Sequence, residues 1–217
     1  IKTSEDGKVI TFILQDGVKF HNGQDFTSAD VKYTFDELFK SNGFKSGAFF
    51  DTVPLDKNEI AKLPAPAKPE APAAASPPAA KPVVEPKTKR VPHITSIETP
   101  DAKTVVFTVT RPSLKNQLLS NLVAIPIIPT DSVARQKDQP LGTGPFKFIS
   151  LDASQNIVEL AANQEYWEGA PKVQKVRVKT ATDANSLQAE LQTGGVDIAP
   201  NPNNISPDTL KSLGNSP

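Results

Sequence analysis

Between Pro64 and Pro92, nine of 29 residues are proline and eight are alanine, with Lys and Glu scattered among them and no aromatic. Such a stretch buries too little apolar surface to offset the entropy of ordering it, and its prolines favour extended polyproline II. A semi-rigid, solvated tether is expected. It divides the chain into residues 1–63, an insertion at 64–92, and residues 93–217. Only 12 prolines remain in the other 188 residues, so the flanks have an ordinary globular density. At 217 residues and 37% hydrophobic, the chain as a whole holds enough apolar material for a real core.

Charge and cysteine content narrow the function classes. Twenty-four Lys and Arg balance 24 Asp and Glu, which leaves no bulk footprint for nucleic acid or anionic lipid. Without cysteine there is no disulfide framework, thiolate nucleophile or Cys-ligated metal. Met is absent and the chain opens Ile1-Lys2-Thr3, so further sequence is expected upstream, where a lipoprotein segment could supply a membrane anchor. No apolar run approaches the roughly 20 residues of a membrane-spanning helix.

The order of elements points to an α/β fold with a mixed sheet. Lys8 to Leu14 is a strand, Gln15-Asp16-Gly17 a turn, and Val18 to Phe20 a short returning strand. Thr27-Ser28-Ala29-Asp30 opens a helix in the manner of a capping box, with Val31, Phe35, Leu38 and Phe39 on one face. Strands Ile94 to Glu98 and Thr104 to Val109 should pair as a hairpin. Pro112 precedes a helix carrying Leu114, Leu118 and Leu122. Val123 to Ile128 is confined by Pro126 to an edge or irregular strand. Strands follow at Phe146 to Leu151, Asn156 to Ala161 and Val173 to Lys179. A helix capped at Thr182-Asp183 turns Ala184, Leu187 and Leu191 inward, and a final strand is expected at Val196 to Ala199.

Catalytic chemistry finds little support. The two histidines, His21 and His93, lie in different segments, and neither has a ligand partner at helical metal-site spacing. No nucleophile elbow, phosphate loop or kinase signature is present. Gly142-Thr143-Gly144-Pro145 looks like a phosphate loop, but Pro145 removes a donor and a strand follows. No catalytic residue, metal site or cofactor is therefore expected. Tyr166-Trp167 reads as core or lid packing. Phe49 and Phe50 are different: adjacent aromatics point opposite ways on an extended chain, so one faces outward and the pair is a candidate ligand contact.

Several segments, in order, carry a resemblance. Asp6 to Leu14, Gln15-Asp16-Gly17-Val18-Lys19-Phe20-His21-Asn22-Gly23 and Phe26 to Phe35 resemble the signature of the family 5 extracellular solute-binding proteins. Gly142-Thr143-Gly144-Pro145-Phe146 with Asn163-Gln164-Glu165-Tyr166-Trp167-Glu168-Gly169 resembles that family's second hallmark, and Leu191 to Ala199 its third. Pro92 to Pro129 is similar to the intervening hairpin and helix. The resemblance implies a mixed-sheet lobe of a type II periplasmic-binding-protein-like fold, without its second lobe. It also implies a monomer outside the cytoplasm that binds an oligopeptide or related small solute and delivers it to an ABC permease. Pro200-Asn201-Pro202-Asn203 would lie near the hinge and cleft, where Asn201 and Asn203 could both donate to and accept from a peptide backbone. The proline-rich insertion departs from the family pattern. The alternative role is an envelope scaffold or sensor reusing the fold, with that insertion reaching a partner.

Overall fold

The computed structural model describes residues 1–41, 43–56, 59, 88–181, 183–200, 211 and 214. They form two units, one from residues 1–16 and 27–130 and the other from 17–26 and 131–217.

In the first unit, β1 (Lys2–Thr3), β2 (Val9–Ile13), β5 (Ile94–Asp101) and β6 (Thr104–Val109) make a four-stranded sheet in the order β1-β2-β6-β5. Alternation along β6 sends Val105, Phe107 and Val109 to one buried face. The expected β5–β6 hairpin forms, with Ile97 opposite Phe107 and Asp101 opposite Thr104. Helix α1 (Ser28–Ser41) lies against this sheet. Its Phe35 is fully buried and meets Phe107 edge-on with ring centroids 5.3 Å apart, and Phe49 at 5.5 Å. With Ile10 these rings form the core, each worth about 1.5–3 kcal/mol of transfer free energy when removed from water. Helix α2 (Leu114–Leu122) adds buried Leu114 and Leu118.

A second sheet is a ribbon of β3 (Phe50–Pro54) and β4 (Thr88–Pro92), with Thr52 opposite Arg90. The proline-rich run therefore ends sooner than expected. Thr88 to Pro92, read as tether, is a strand, because Val91 and Pro92 find ladder partners in Asp51 and Phe50. The body of the tether lies outside the described residues. The run Val123 to Ile128 forms no strand. Its backbone is fixed by α1 instead, Thr34 Oγ1 accepting the Ile128 N–H at 3.0 Å.

The second unit holds the meander β7 (Phe146–Asp152), β8 (Ile157–Ala162) and β9 (Lys175–Lys179) and helix α3 (Ala184–Gln192). Asp183 caps α3, its carboxylate accepting the Ser186 N–H at 2.9 Å. Ala184, Leu187 and Leu191 are half-buried. Every strand pairing among the described residues is antiparallel, so the mixture lies in helix with sheet and not in strand direction.

Two expected strands are absent. Val18 to Phe20 does not return along β2. Lys19 instead bridges Asp25, and Phe20 takes the N–H of Gly23, which makes a local loop that Gly17 (φ 73°) and Gly23 (φ 86°) permit. Val196 to Ala199 is irregular, and Ile198 is 77% exposed. The N–H groups of Gly195 and Val196 fold back onto the Glu190 carbonyl, which takes the chain out of a ladder.

Candidate functional site

The start of α1 shows how the sequence motifs act locally. Thr27 precedes the helix, and its N–H and hydroxyl both donate to Asp30 Oδ2 at 2.9 Å. Asp30 Oδ1 accepts the N–H and hydroxyl of Thr130 at 2.8 and 2.9 Å. One buried carboxylate thus satisfies four donors, favoured by the positive end of the helix. Thr34 repeats the device one turn on, donating to the Asp30 carbonyl at 2.8 Å while accepting from Ile128.

His21 joins the first and second motifs. Its Nε2 donates to the Gly144 carbonyl at 3.0 Å, while Nδ1 accepts the Gly142 N–H at 3.4 Å. The Gly144 carbonyl also accepts from Asn163 Nδ2 at 3.2 Å, and the Asn163 N–H donates to the Pro145 carbonyl at 2.7 Å. Only a neutral imidazole can donate from one nitrogen and accept at the other. Burial lowers the His21 pKa and outweighs the opposing pull of the Gly144 carbonyl, with Lys147 adding a smaller repulsion. The histidine is a staple for the glycine-rich segment, and no group of three or more potential metal ligands occurs among the described residues.

His93 has a partner that spacing could not reveal. Its Nε2 lies 3.0 Å from Asp51 Oδ1, and Arg111 Nη1 reaches Asp51 Oδ2 at 2.7 Å. The Arg111 guanidinium, and then His93, hold the Asp51 carboxyl below the usual carboxylate range. Asp51 sits on β3, so this trio latches the ribbon to the start of β5 and the end of β6. It has no nucleophile and no second carboxylate, and the geometry is that of a structural clamp.

A concavity lies in the first unit. It is an open cleft of about 650 Å³, within the range typical of small-molecule sites. One wall is the face of the ribbon bearing Phe50, Thr52 and Arg90. The opposite wall is the end of α2 with Ala124 and Ile125, and the 3₁₀ turn Phe44–Phe49 closes one end. Asn121 Nδ2 donates to the Ala48 carbonyl at 2.7 Å, and Lys45 Nζ to the Ala124 carbonyl at 3.2 Å, which ties the 3₁₀ turn to the end of α2. The Arg90 guanidinium lies 4.2 Å from the centroid of the Phe50 ring.

The structure separates the two aromatic candidates. Phe50 lines the cleft, whereas Phe49 is buried against Phe35 and Phe39, because the 3₁₀ turn leaves it facing the core. Asn201 and Asn203 lie outside the described residues. Trp167 is 44% exposed and packs edge-on with Tyr166, so it belongs to neither core nor cleft. Sequence reading missed Arg90, Lys45 and Asn121. Arg90 was hidden in the presumed tether, and a polar residue at the end of α2 carries no local signal.

Comparison with known proteins fits this framework. Residues 1–216 match the family described as bacterial extracellular solute-binding proteins, family 5 Middle. A Brucella ovis protein, named for ABC transporter peptide binding, is 31% identical over 90% of this chain and 31% of its own length. The di/tripeptide-binding protein 1 of Pseudomonas aeruginosa is 27% identical over 96% of this chain and 36% of its own. In structure, NikZ of Campylobacter jejuni, crystallised with Ni(L-His), superposes with a TM-score of 0.66 at 23% identity. That match covers 99% of this chain and 35% of NikZ. The chain thus spans about a third of the length of these relatives. The chain belongs to the bacterial extracellular solute-binding proteins of family 5.

Proposed function

We propose that this chain is part of the extracytoplasmic solute-binding component of an ABC importer, taking an oligopeptide or a related small solute and delivering it to a membrane permease. The observation that carries the reading is the family match across residues 1–216, joined by relatives named for peptide binding. The His21 staple and the Asp30 cap are consistent with it, since both use motif residues to rigidify the chain and not to react. Asn201 and Asn203 are the proposed solute contacts, the side chain of each able to pair with a peptide N–H and a peptide C=O. Thermal-shift and calorimetric titration of the protein with di-, tri- and longer peptides, and with Ni(L-His), tests this. Saturable stabilisation by one class supports the reading, and a flat response to all of them counts against it.

The second reading, an envelope scaffold or sensor, draws on one observation: the proline-rich run leaves and rejoins the chain through the ribbon that walls the cleft. Deleting residues 64–87, which spares β4, separates the two. Unchanged solute uptake supports the importer component, and lost partner capture with intact folding supports the scaffold.

A further inference from the structure

The cleft in the first unit has features that the fold does not need. Phe44 is 100% exposed at its end, and Val123, next to lining residue Ala124, is 89% exposed. Phe44 is itself a lining residue, so a large apolar ring stands free at the cleft and offers its face to a partner. The charged residues lining it are Lys45 and Arg90; no carboxylate lines it, although the chain as a whole is electrically balanced. Neither cation makes an ion pair among the described residues. Lys45 touches a carbonyl, and Arg90 reaches only the Ser46 hydroxyl at 3.5 Å while resting over Phe50. A guanidinium held on a ring is pre-positioned, and its remaining N–H donors suit a carboxylate fork.

The ribbon adds directionality. β3 and β4 pair only with each other, so among the described residues each strand has a ladder partner on one side only. Backbone of this kind accepts an extended chain, with alternate side chains entering the pocket beside it.

We propose that the cleft docks an extended acidic segment of a partner protein, with carboxylates paired to Lys45 and Arg90 and an aromatic or aliphatic side chain laid between Phe44 and Phe50. This does not depend on which solute the protein carries. The Asn121 and Lys45 bridges fix the 3₁₀ turn against the end of α2, so that side of the groove is pre-formed and its ordering is not charged to association.

Gly47 gives a clean block. A Cβ there meets nothing within 4 Å, and its backbone is not left-handed, so Gly47→Trp obstructs the groove without strain in the core. The probe is a fluorescein-labelled octapeptide of alternating Glu and Phe, followed by anisotropy on the full chain beside its Gln/Phe analogue. Saturable binding is expected, at least tenfold weaker for the Gln analogue. At least tenfold loss is also expected in Gly47→Trp and in Arg90→Glu, whose thermal midpoints match the wild type. Equal binding of the two peptides overturns the proposal, as does absence of binding. Binding that survives both variants overturns it too, and assigns the peptide to the solute site. Concentration-dependent dimers abolished by Gly47→Trp would overturn it in favour of a second copy of the chain.

Discussion

Asp30 and Thr130 are 100 positions apart in sequence, yet one carboxylate oxygen of Asp30 accepts both the backbone N–H and the hydroxyl of Thr130. The acidic residue in the first turn of α1 therefore also fixes the path of the chain leaving the first unit. Asp30→Ala strips the acceptor from the half-buried Thr27 and from the exposed Thr130, whose donors water can reach, and should cost about 0.5–2 kcal/mol, the loss of a cap. Asp30→Asn, which keeps one acceptor, should cost less. Urea unfolding of the two variants checks the order, and equal losses would show that the bonds to Thr130 contribute little.

His21 should make stability fall in mild acid. Its folded pKa is depressed below the 6.5 of an ordinary histidine, so the unfolded chain takes up the proton first. The stability linked to it is complete above that value and is lost as pH falls toward the folded pKa. The difference in unfolding free energy between wild type and His21→Gln should therefore shrink between pH 7 and pH 5. A difference that stays constant with pH would remove the titration from His21.

The Asp51 clamp responds at lower pH and acts more locally. Its folded pKa lies below 3.8, so its contribution is present above that value and disappears as pH falls through the folded one. At neutral pH, Asp51→Asn should loosen the ribbon more than the core. Hydrogen exchange at the Thr52 and Arg90 amides should accelerate while the amide of Phe107 keeps its protection. Uniform acceleration across the first unit would make the clamp part of the global core instead.

Core and cleft phenylalanines should separate sharply. Phe35 contacts the rings of Phe39, Phe49 and Phe107, so Phe35→Ala should cost about 3–5 kcal/mol. Phe50→Ala should be markedly milder, since that ring is half-buried. Chemical denaturation of both variants decides it, and similar losses would move Phe50 into the core.

What could be read in advance follows from the range of the interactions involved. The β5–β6 hairpin and α1 were legible because alternation along Val105, Phe107 and Val109, and the Thr27–Asp30 cap, are local signals. Val196 to Ala199 misled because a strand needs a partner as well as a composition, and the Glu190 carbonyl took its amides. Phe49 and Phe50 were half legible: opposite directions follow from neighbouring positions, but which one faces inward depends on the 3₁₀ turn before them. The His93–Asp51–Arg111 clamp joins three distant segments, and no spacing rule in the sequence reaches it.

The loop of residues 17–26 belongs with chain that comes much later, His21 meeting Gly142 across 121 positions. On a ribosome adding about 5–20 residues per second, the loop waits on the order of 6–24 s for that partner. That loop carries Val18 and Phe20, both buried in the finished protein, and through that interval it lacks the His21 bonds that hold it in place. Delayed closure of this kind leaves an apolar segment open to chaperones or to its own kind while the rest of the chain is still being made.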